Sequence, residues 1–184
     1  MSEYKALNKQ IFTSGIYSLV PIRFEDRYEI MQWRNEQIYH LRQAKPLNKE
    51  DQDTYFKHVV LKLFDQEQPN QILFSFLEDD ICIGYGGLVH INWVDKNAEV
   101  SFIINTKLES EYFSLHWNNY LQLLRQVAFD ILDLHKTYVY AFDLRPQLYL
   151  ALEEAGYFFD CRLTEHCFYD SVYKDVVIYS FINR

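Results

Sequence analysis

The chain has little cysteine, little positive charge and no long hydrophobic run, and each shortage excludes a class of protein. Its three cysteines, Cys82, Cys161 and Cys167, are an odd number without the spacing of metal ligands. Cys82 and Cys161 fall in predicted strands, so we expect buried free thiols and a reducing, cytoplasmic environment. The 26 acidic residues outnumber the 18 basic ones and give a net charge of −8. That charge disfavours a nucleic-acid-binding protein and offers no polybasic patch for a membrane surface.

The apolar residues are numerous but scattered. No apolar run reaches the length of a membrane span, and residues 1–5 lack the pattern of a signal peptide. Apolar residues make up 49% of the 184 residues and aromatic residues 17%, a composition that excludes a disordered chain. The length and the apolar content suit one α/β domain with a sizeable core, and we expect residues 1–184 to form it.

Strand and helix patterns alternate along the chain. Asn48 is a predicted helix N-cap, and Asn118 or Asn119 is the predicted N-cap of a later helix. Pro146 is the predicted first residue of another helix. Pro21 places the first strand at a sheet edge or a bulge. The predicted helices cover residues 24–40, 48–64, 118–133 and 146–155. The predicted strands cover residues 16–23, 71–77, 137–142, 157–163 and 172–182, with a hairpin at 81–105. The order is β-α-α-β-β-β-α-β-α-β-β, which predicts an α/β fold with a mixed sheet.

The hairpin at 81–105 carries the most informative residues. Three of the five glycines, at 84, 86 and 87, fall in its first strand, where glycine indicates a bulge or a close backbone approach. The second strand starts at Ala98 and places Glu99 before a run of apolar residues. A carboxylate in that position is paired, faces solvent at the strand's end, or serves proton transfer; the pattern alone favours the solvent-facing role.

Three short motifs, taken with the element order, resemble the GNAT acyltransferase superfamily. They are residues 33–35 (WRN) followed by Arg42, residues 98–102 (AEVSF) and residues 152–158 (LEEAGYF). They resemble most the branch that acetylates the N-termini of ribosomal proteins and nucleotide-linked amino sugars. The likeness extends over residues 16–182 and implies a strongly twisted mixed sheet in which two neighbouring strands diverge.

The resemblance implies an N-acyltransferase that moves an acetyl or other acyl group from acyl-CoA to a primary amine, such as that of an amino-sugar nucleotide. Acetyl-CoA is then the co-substrate, and no metal is implied. Glu99 corresponds to a glutamate that removes a proton from the amine, directly or through water. The backbone of Phe102, Ile103 and Ile104 pairs with the pantetheine arm of the coenzyme, and an N–H near Phe102 holds the oxyanion. A homodimer is left open.

Four further residues are candidates for contacts with the coenzyme or the acceptor. The tyrosine that serves as general acid in many relatives is Leu152 here, and Tyr149, one turn earlier, is its candidate substitute. Arg145 is a candidate for the phosphates of the coenzyme. Arg34 and Arg42 are candidates for a phosphate or carboxylate of the acceptor, with surface salt bridges as the alternative.

His90 and Trp93, also in the hairpin, leave two interpretations each. His90 is a satisfied structural histidine or a proton shuttle at the substrate, and Trp93 is a surface aromatic or lid residue, or a platform on which an acceptor stacks.

One stretch departs from the family pattern. Residues 109–116 (ESEYFSLH) stand where the family has a glycine-rich phosphate loop. Bulky side chains and two acidic residues there obstruct an approaching phosphate. This departure supports an alternative function, a GNAT-fold binding or interaction module that has lost coenzyme A. Glu99, Arg34 and the element order support the enzyme.

Overall fold

In the computed structural model, which describes residues 2–184, eight strands form one mixed sheet with the spatial order β1-β2-β3-β4-β5-β6-β8-β7. The strands are β1 Phe12–Ser14, β2 Tyr17–Pro21, β3 Gln71–Glu78, β4 Ile81–Asn92, β5 Asn97–Ile104, β6 Lys136–Phe142, β7 Phe158–Tyr169 and β8 Val172–Ile182. Neighbours β5 and β6 are parallel, and the other pairs are antiparallel. The predicted mixed sheet and α/β class are confirmed.

Helices connect the strands in the predicted order. They are α1 Arg27–Glu36, α2 Lys49–Tyr55, α3 Leu61–Leu63, α4 Glu109–Arg125 and α5 Pro146–Glu154. A π-helical turn, Phe56–Val60, joins α2 to α3, and a second one, Gln126–Ile131, extends α4. Asn48 caps α2 in a reciprocal capping box with Asp51, as predicted. Pro146 opens α5, and Gly156 follows it at φ +85°, a conformation that glycine adopts without strain. No helix within residues 2–184 is long and apolar enough to cross a membrane.

The N-terminal part of the sheet differs from the prediction in one respect. The predicted first strand corresponds to β2, and it is preceded by β1, a short strand that the sequence analysis missed. Pro21 is therefore not on an edge strand. The pairing of β1 with β2 ends at Phe12 and Leu19, two residues before Pro21. The missing N–H of Pro21 therefore interrupts no hydrogen bond between these two strands.

Helix α4 begins about nine residues before the predicted N-cap at Asn118 or Asn119, and that prediction was wrong. Residues 109–111, which are polar, form its first turn, where the helix dipole stabilises acidic side chains. Tyr112 interrupts the helical geometry at φ −120° and ψ 17°. The stretch expected as a loop is therefore a kinked helical turn.

The glycines of β4 allow a close contact that anchors β5. A Cβ at Gly86 would lie 2.0 Å from the carbonyl oxygen of Ser101 and 2.5 Å from the hydroxyl of Tyr120. Tyr120, on α4, donates a hydrogen bond of 2.7 Å to that carbonyl and stacks on Phe102 at 3.8 Å between ring centroids. The predicted close backbone approach is confirmed, and it fixes the strand that carries Glu99.

The cysteine prediction was half right. Cys82 is a buried free thiol, whereas Cys161 is free and exposed because β7 forms the edge of the sheet and one of its faces is largely uncovered.

Candidate functional site

Strands β5 and β6 pair over only three residues and then diverge. Their last pair joins Glu99 to Tyr138, and beyond it the two backbones separate. The opening, which we call the β5/β6 cleft, encloses about 660 Å³ of empty space, part of it open to solvent. It is lined by residues 100–103 on one side and residues 139–142 on the other. A strand with an unpaired inner edge offers peptide N–H and C=O groups to an extended ligand.

Glu99 lies at the closed end of this cleft and is paired, so the solvent-facing interpretation was wrong. Its side chain is 6% exposed. Arg42 donates to Oε1 through Nη2, and Nδ1 of His90 lies 2.9 Å from Oε2. Among the described residues that line the cleft, Glu99 is the one carboxylate.

His90 reaches Glu99 because β4 is irregular at this point. The register between β4 and β5 shifts after Val89, and His90 adopts φ +50°, a left-handed conformation that turns its side chain out of the strand alternation. The imidazole is 62% exposed. His90 therefore connects a buried carboxylate with solvent.

Arg34 and Arg42 both line the cleft, and Arg42 is the one that contacts Glu99. Arg34, on α1, donates to Tyr85 and, at 2.9 Å, to Gln43. Arg42 follows a 3₁₀ turn after α1 and lies over the ring of Tyr140 at 4.6 Å. The surface-salt-bridge interpretation fails for Arg42, since its partner carboxylate is buried.

A third arginine, Arg145, lies at the wide end of the cleft. Arg145 follows β6 and Glu109 follows β5, and the Nη2 of Arg145 donates to Glu109 Oε1 across the opening. Its Nη1 lies 3.1 Å from Nε2 of His40, and its guanidinium packs on the ring of Phe113. Arg145 is 5% exposed, and its Nε has no hydrogen-bond partner among residues 2–184. Burial, and then the charge of Arg145, lowers the pKa of His40 to about 3, so this imidazole is neutral near pH 7.

Of the three residues whose backbone is predicted to pair with the coenzyme, two line the cleft and Ile104 does not. Phe102 and Ile103 line it. The carbonyl of Ile104 accepts a hydrogen bond of 2.7 Å from the side chain of Gln37, so this oxygen already has a partner.

Tyr149 and Trp93 lie outside the cleft, and their predicted roles are not supported by their positions. Tyr149 donates to Asp143 and stacks on Tyr179, and burial together with Asp143 raises its pKa. The indole N–H of Trp93 donates to the carbonyl of Pro69 at 2.9 Å. Each side chain packs within the fold through these contacts, so we do not retain either one in the site.

The sequence analysis missed three residues of the site. Glu109 and His40 become recognisable only through their contact with Arg145. Tyr140 lines the cleft with its ring under the guanidinium of Arg42, and nothing in the strand pattern of β6 distinguishes it from other sheet aromatics. No group of three potential metal ligands occurs in the part of the chain that the structure describes.

Comparisons with known proteins agree with this geometry. The sequence profile described as Acetyltransferase (GNAT) domain matches residues 19–141. Spermidine N(1)-acetyltransferase of Vibrio cholerae is 29% identical over 94 residues, which are 51% of this chain and 53% of that protein. The match thus spans about half the length of this curated relative.

Solved structures share the fold over nearly the whole chain. The spermidine N-acetyltransferase of Vibrio cholerae in complex with CoA and spermine has a TM-score of 0.75 at 22% identity and covers 92% of this chain and 96% of its own. Mutant forms of the spermidine/spermine N-acetyltransferase from the same organism have a TM-score of 0.74 at 21% identity, with 92% and 95% coverage. Together with the profile match, which covers more than half of the sequence, these findings show that the chain belongs to the GNAT acetyltransferase family.

Proposed function

We propose that the chain transfers the acetyl group of acetyl-CoA to a primary amine, with Glu99 as the general base. The observation that carries this proposal is the position of Glu99, a buried carboxylate at the point where β5 and β6 diverge. An extended pantetheine arm fits along the unpaired backbone at residues 100–103 and delivers its thioester towards that point. The acceptor amine then meets the thioester beside the carboxylate.

The chemistry needs one proton acceptor. An amine is largely protonated near pH 7, and only its neutral form attacks a thioester. Glu99 takes one proton from the ammonium, the neutral nitrogen forms a bond to the thioester carbonyl carbon, and the carbon–sulfur bond breaks as the nitrogen loses its second proton to solvent. The coenzyme leaves as a thiolate that takes up a proton from solvent in exchange. His90, which touches Glu99 and is largely exposed, passes the proton on to water.

The coenzyme's diphosphate needs a cation, since the glycine-rich loop is missing. Arg145 is the candidate, because it is buried at the wide end of the cleft and its Nε has no protein partner within the described residues. Glu109 opposes this role, because it already occupies Arg145. That contact favours the second candidate function, a binding module that has lost coenzyme A.

The acceptor remains a proposal at the level of a primary amine. The relatives act on spermidine or spermine by name, and nothing among them supports a nucleotide-linked amino sugar. The cytoplasmic location remains a prediction, and a homodimer remains open.

Two measurements test the function. Calorimetric titration with acetyl-CoA separates the enzyme from the binding module, since absence of saturable binding at millimolar coenzyme contradicts the enzyme. Release of free thiol is then measured with a panel of primary amines for the wild type and for Glu99→Gln. We expect the variant to bind acetyl-CoA like the wild type and to turn over about 10²–10⁴-fold more slowly. Equal turnover by the two folded proteins at every pH would remove Glu99 from the mechanism.

A further inference from the structure

A second cavity adjoins the β5/β6 cleft and shares Arg34, Arg42 and Ser101 with it. It contains about 960 Å³ of empty space, part of it open to solvent, and we call it the arginine-lined cavity. Arg34 and Arg42 line both this cavity and the cleft, whereas His90 lines only the second cavity. The two cavities thus meet at the arginines beside the proposed base, which is the arrangement that a two-substrate reaction requires.

The ionisable side chains that line the arginine-lined cavity are basic, whereas the chain as a whole is acidic. The whole chain carries a net charge of −8. Of the described residues that line this cavity, two are arginines and one is a histidine, while none is an aspartate or a glutamate. Asp51 lines a separate cavity behind Arg34. A polycation such as spermidine needs free carboxylates. Glu99 already pairs with Arg42 and His90, and Arg34, whose hydrogen-bond partners are the neutral side chains of Gln43 and Tyr85, would repel a polycation.

Both arginines keep donors for a ligand. Arg34 uses Nε and Nη1 for Gln43 and Tyr85, and Arg42 uses Nη2 for Glu99. Within residues 2–184 the remaining N–H groups of the two guanidiniums have no protein partner. The side chain of Arg42 is 49% exposed, so a ligand in the cavity reaches it. Guanidinium groups with free donors suit a phosphate or a carboxylate, which accept paired hydrogen bonds.

We propose that the acceptor is a primary amine that also carries an anionic group, a phosphate or a carboxylate, and that Arg34 and Arg42 bind this group. The inference rests on the proposed function and makes it more specific. It separates this chain from the spermidine acetyltransferases that share its fold. An anion on Arg42 also draws that arginine from Glu99 Oε1, which frees the oxygen to accept the proton of the amine.

The test compares amines that differ only in charge. Ethanolamine is paired with its phosphate ester, and propylamine with β-alanine, and spermidine serves as the polycation; all are assayed by thiol release at one ionic strength. We expect kcat/KM of the anionic member of at least one pair to exceed that of its neutral partner by about 10–100-fold, the range of one or two charge-assisted hydrogen bonds. The pair with the larger ratio distinguishes phosphate from carboxylate recognition.

Variants assign the effect to the cavity. Arg34→Gln should lower the anionic-to-neutral ratio by about tenfold or more, and Arg34→Lys should restore part of it. Arg162→Gln is the matched control, because Arg162 lies on β7 and lines neither cavity. A preference for spermidine or for the neutral amines, or a ratio that Arg34→Gln leaves unchanged, overturns the inference.

Calorimetry keeps this outcome separate from failure of the proposed function. The same amines are titrated into the protein without coenzyme. Tighter binding of the anionic amine that is lost in Arg34→Gln supports the inference even where acetyl-CoA does not bind and no amine is acetylated. Saturable acetyl-CoA binding with a preference for neutral or polycationic amines contradicts the inference alone.

Discussion

Replacing Glu109 by glutamine should strengthen the binding of acetyl-CoA. Glu109 and Arg145 form an ion pair across the wide end of the β5/β6 cleft, with side chains that are 15% and 6% exposed. If Arg145 receives the diphosphate, Glu109 is its internal competitor, since both are anions for the same guanidinium. Glutamine keeps the size and the hydrogen-bond acceptor and removes the charge.

The expected gain follows from the difference between two hydrogen bonds. A hydrogen bond to a charged group contributes about 1.5–3 kcal/mol, and one between neutral partners about 0.5–1.5 kcal/mol. Replacing the carboxylate therefore weakens the contact between residue 109 and Arg145 by roughly 1–1.5 kcal/mol. If the ligand gains this free energy, the Kd of acetyl-CoA falls about 5–10-fold. The same loss leaves a buried cation with a weaker partner. We expect Tm to fall by about 2–6 °C, at roughly 2–4 °C per kcal/mol for a chain of this size.

Calorimetry with two ligands isolates the diphosphate. Acetyl-CoA should bind more tightly to Glu109→Gln than to the wild type, whereas acetylpantetheine, which has no diphosphate, should bind both alike. Glu111→Gln is the matched control, because Glu111 stands in the same turn of α4, is exposed and has no ion pair among the described residues. Unchanged or weaker binding of acetyl-CoA to Glu109→Gln refutes the competition, and so does an equal gain with acetylpantetheine.

Three further predictions concern stability. The pKa of His40 is about 3 in the folded chain, below its ordinary value of 6.5. The stability that comes from its neutral imidazole is therefore fully present above pH 6.5 and is lost as the pH falls towards 3. In urea unfolding across this window, the free energy of unfolding of His40→Gln should fall less steeply with pH than that of the wild type. Gly86→Ala should lower the free energy of unfolding by about 3 kcal/mol or more, because the new methyl overlaps backbone, whereas Gly15→Ala, with nothing within 4 Å, should lose only about 1 kcal/mol from its positive φ; equal losses contradict the steric argument. Asp26→Ala should lose about 3 kcal/mol in the same assay, because the carboxylate is buried and holds Arg23 through two donors; a loss below 1 kcal/mol would show that the pair is dispensable.

The sequence predicted the structural features that depend on residues near one another in the chain. The alternation of β4 and β5, the cap at Asn48 and the proline that opens α5 each act within a few positions, and the structure has all of them. The start of α4 was wrong for a related reason. Without glycine or proline, residues 106–117 lack a local stop signal. The burial of Phe113, His116 and Trp117 stabilises a helical turn that the asparagine pattern does not indicate.

The candidate site depended on contacts that no local pattern reveals. Arg42 lies 57 residues before Glu99, and Arg145 lies 36 residues after Glu109. His90 is close in sequence, but its side chain reaches Glu99 only because of a bulge and a positive φ, neither of which alternation predicts. Sequence reasoning therefore identified Glu99 as chemically unusual and misjudged its surroundings.

Taken together, these contacts explain how an acidic chain can offer two cationic sites along one strand. Arg42 is paired with Glu99 near the start of β5, and Arg145 is paired with Glu109 just after its end. Each pair cancels its own charge, so neither arginine stands as an isolated buried cation, which the interior does not tolerate. An anionic ligand that reaches either arginine exchanges one carboxylate for another anion. For Arg145, whose side chain is 6% exposed, folding has already desolvated the guanidinium. Under the proposed function, the absence of a glycine-rich loop is compatible with binding of phosphates, since we propose that the side chain of Arg145 takes the role that the family pattern gives to backbone N–H groups.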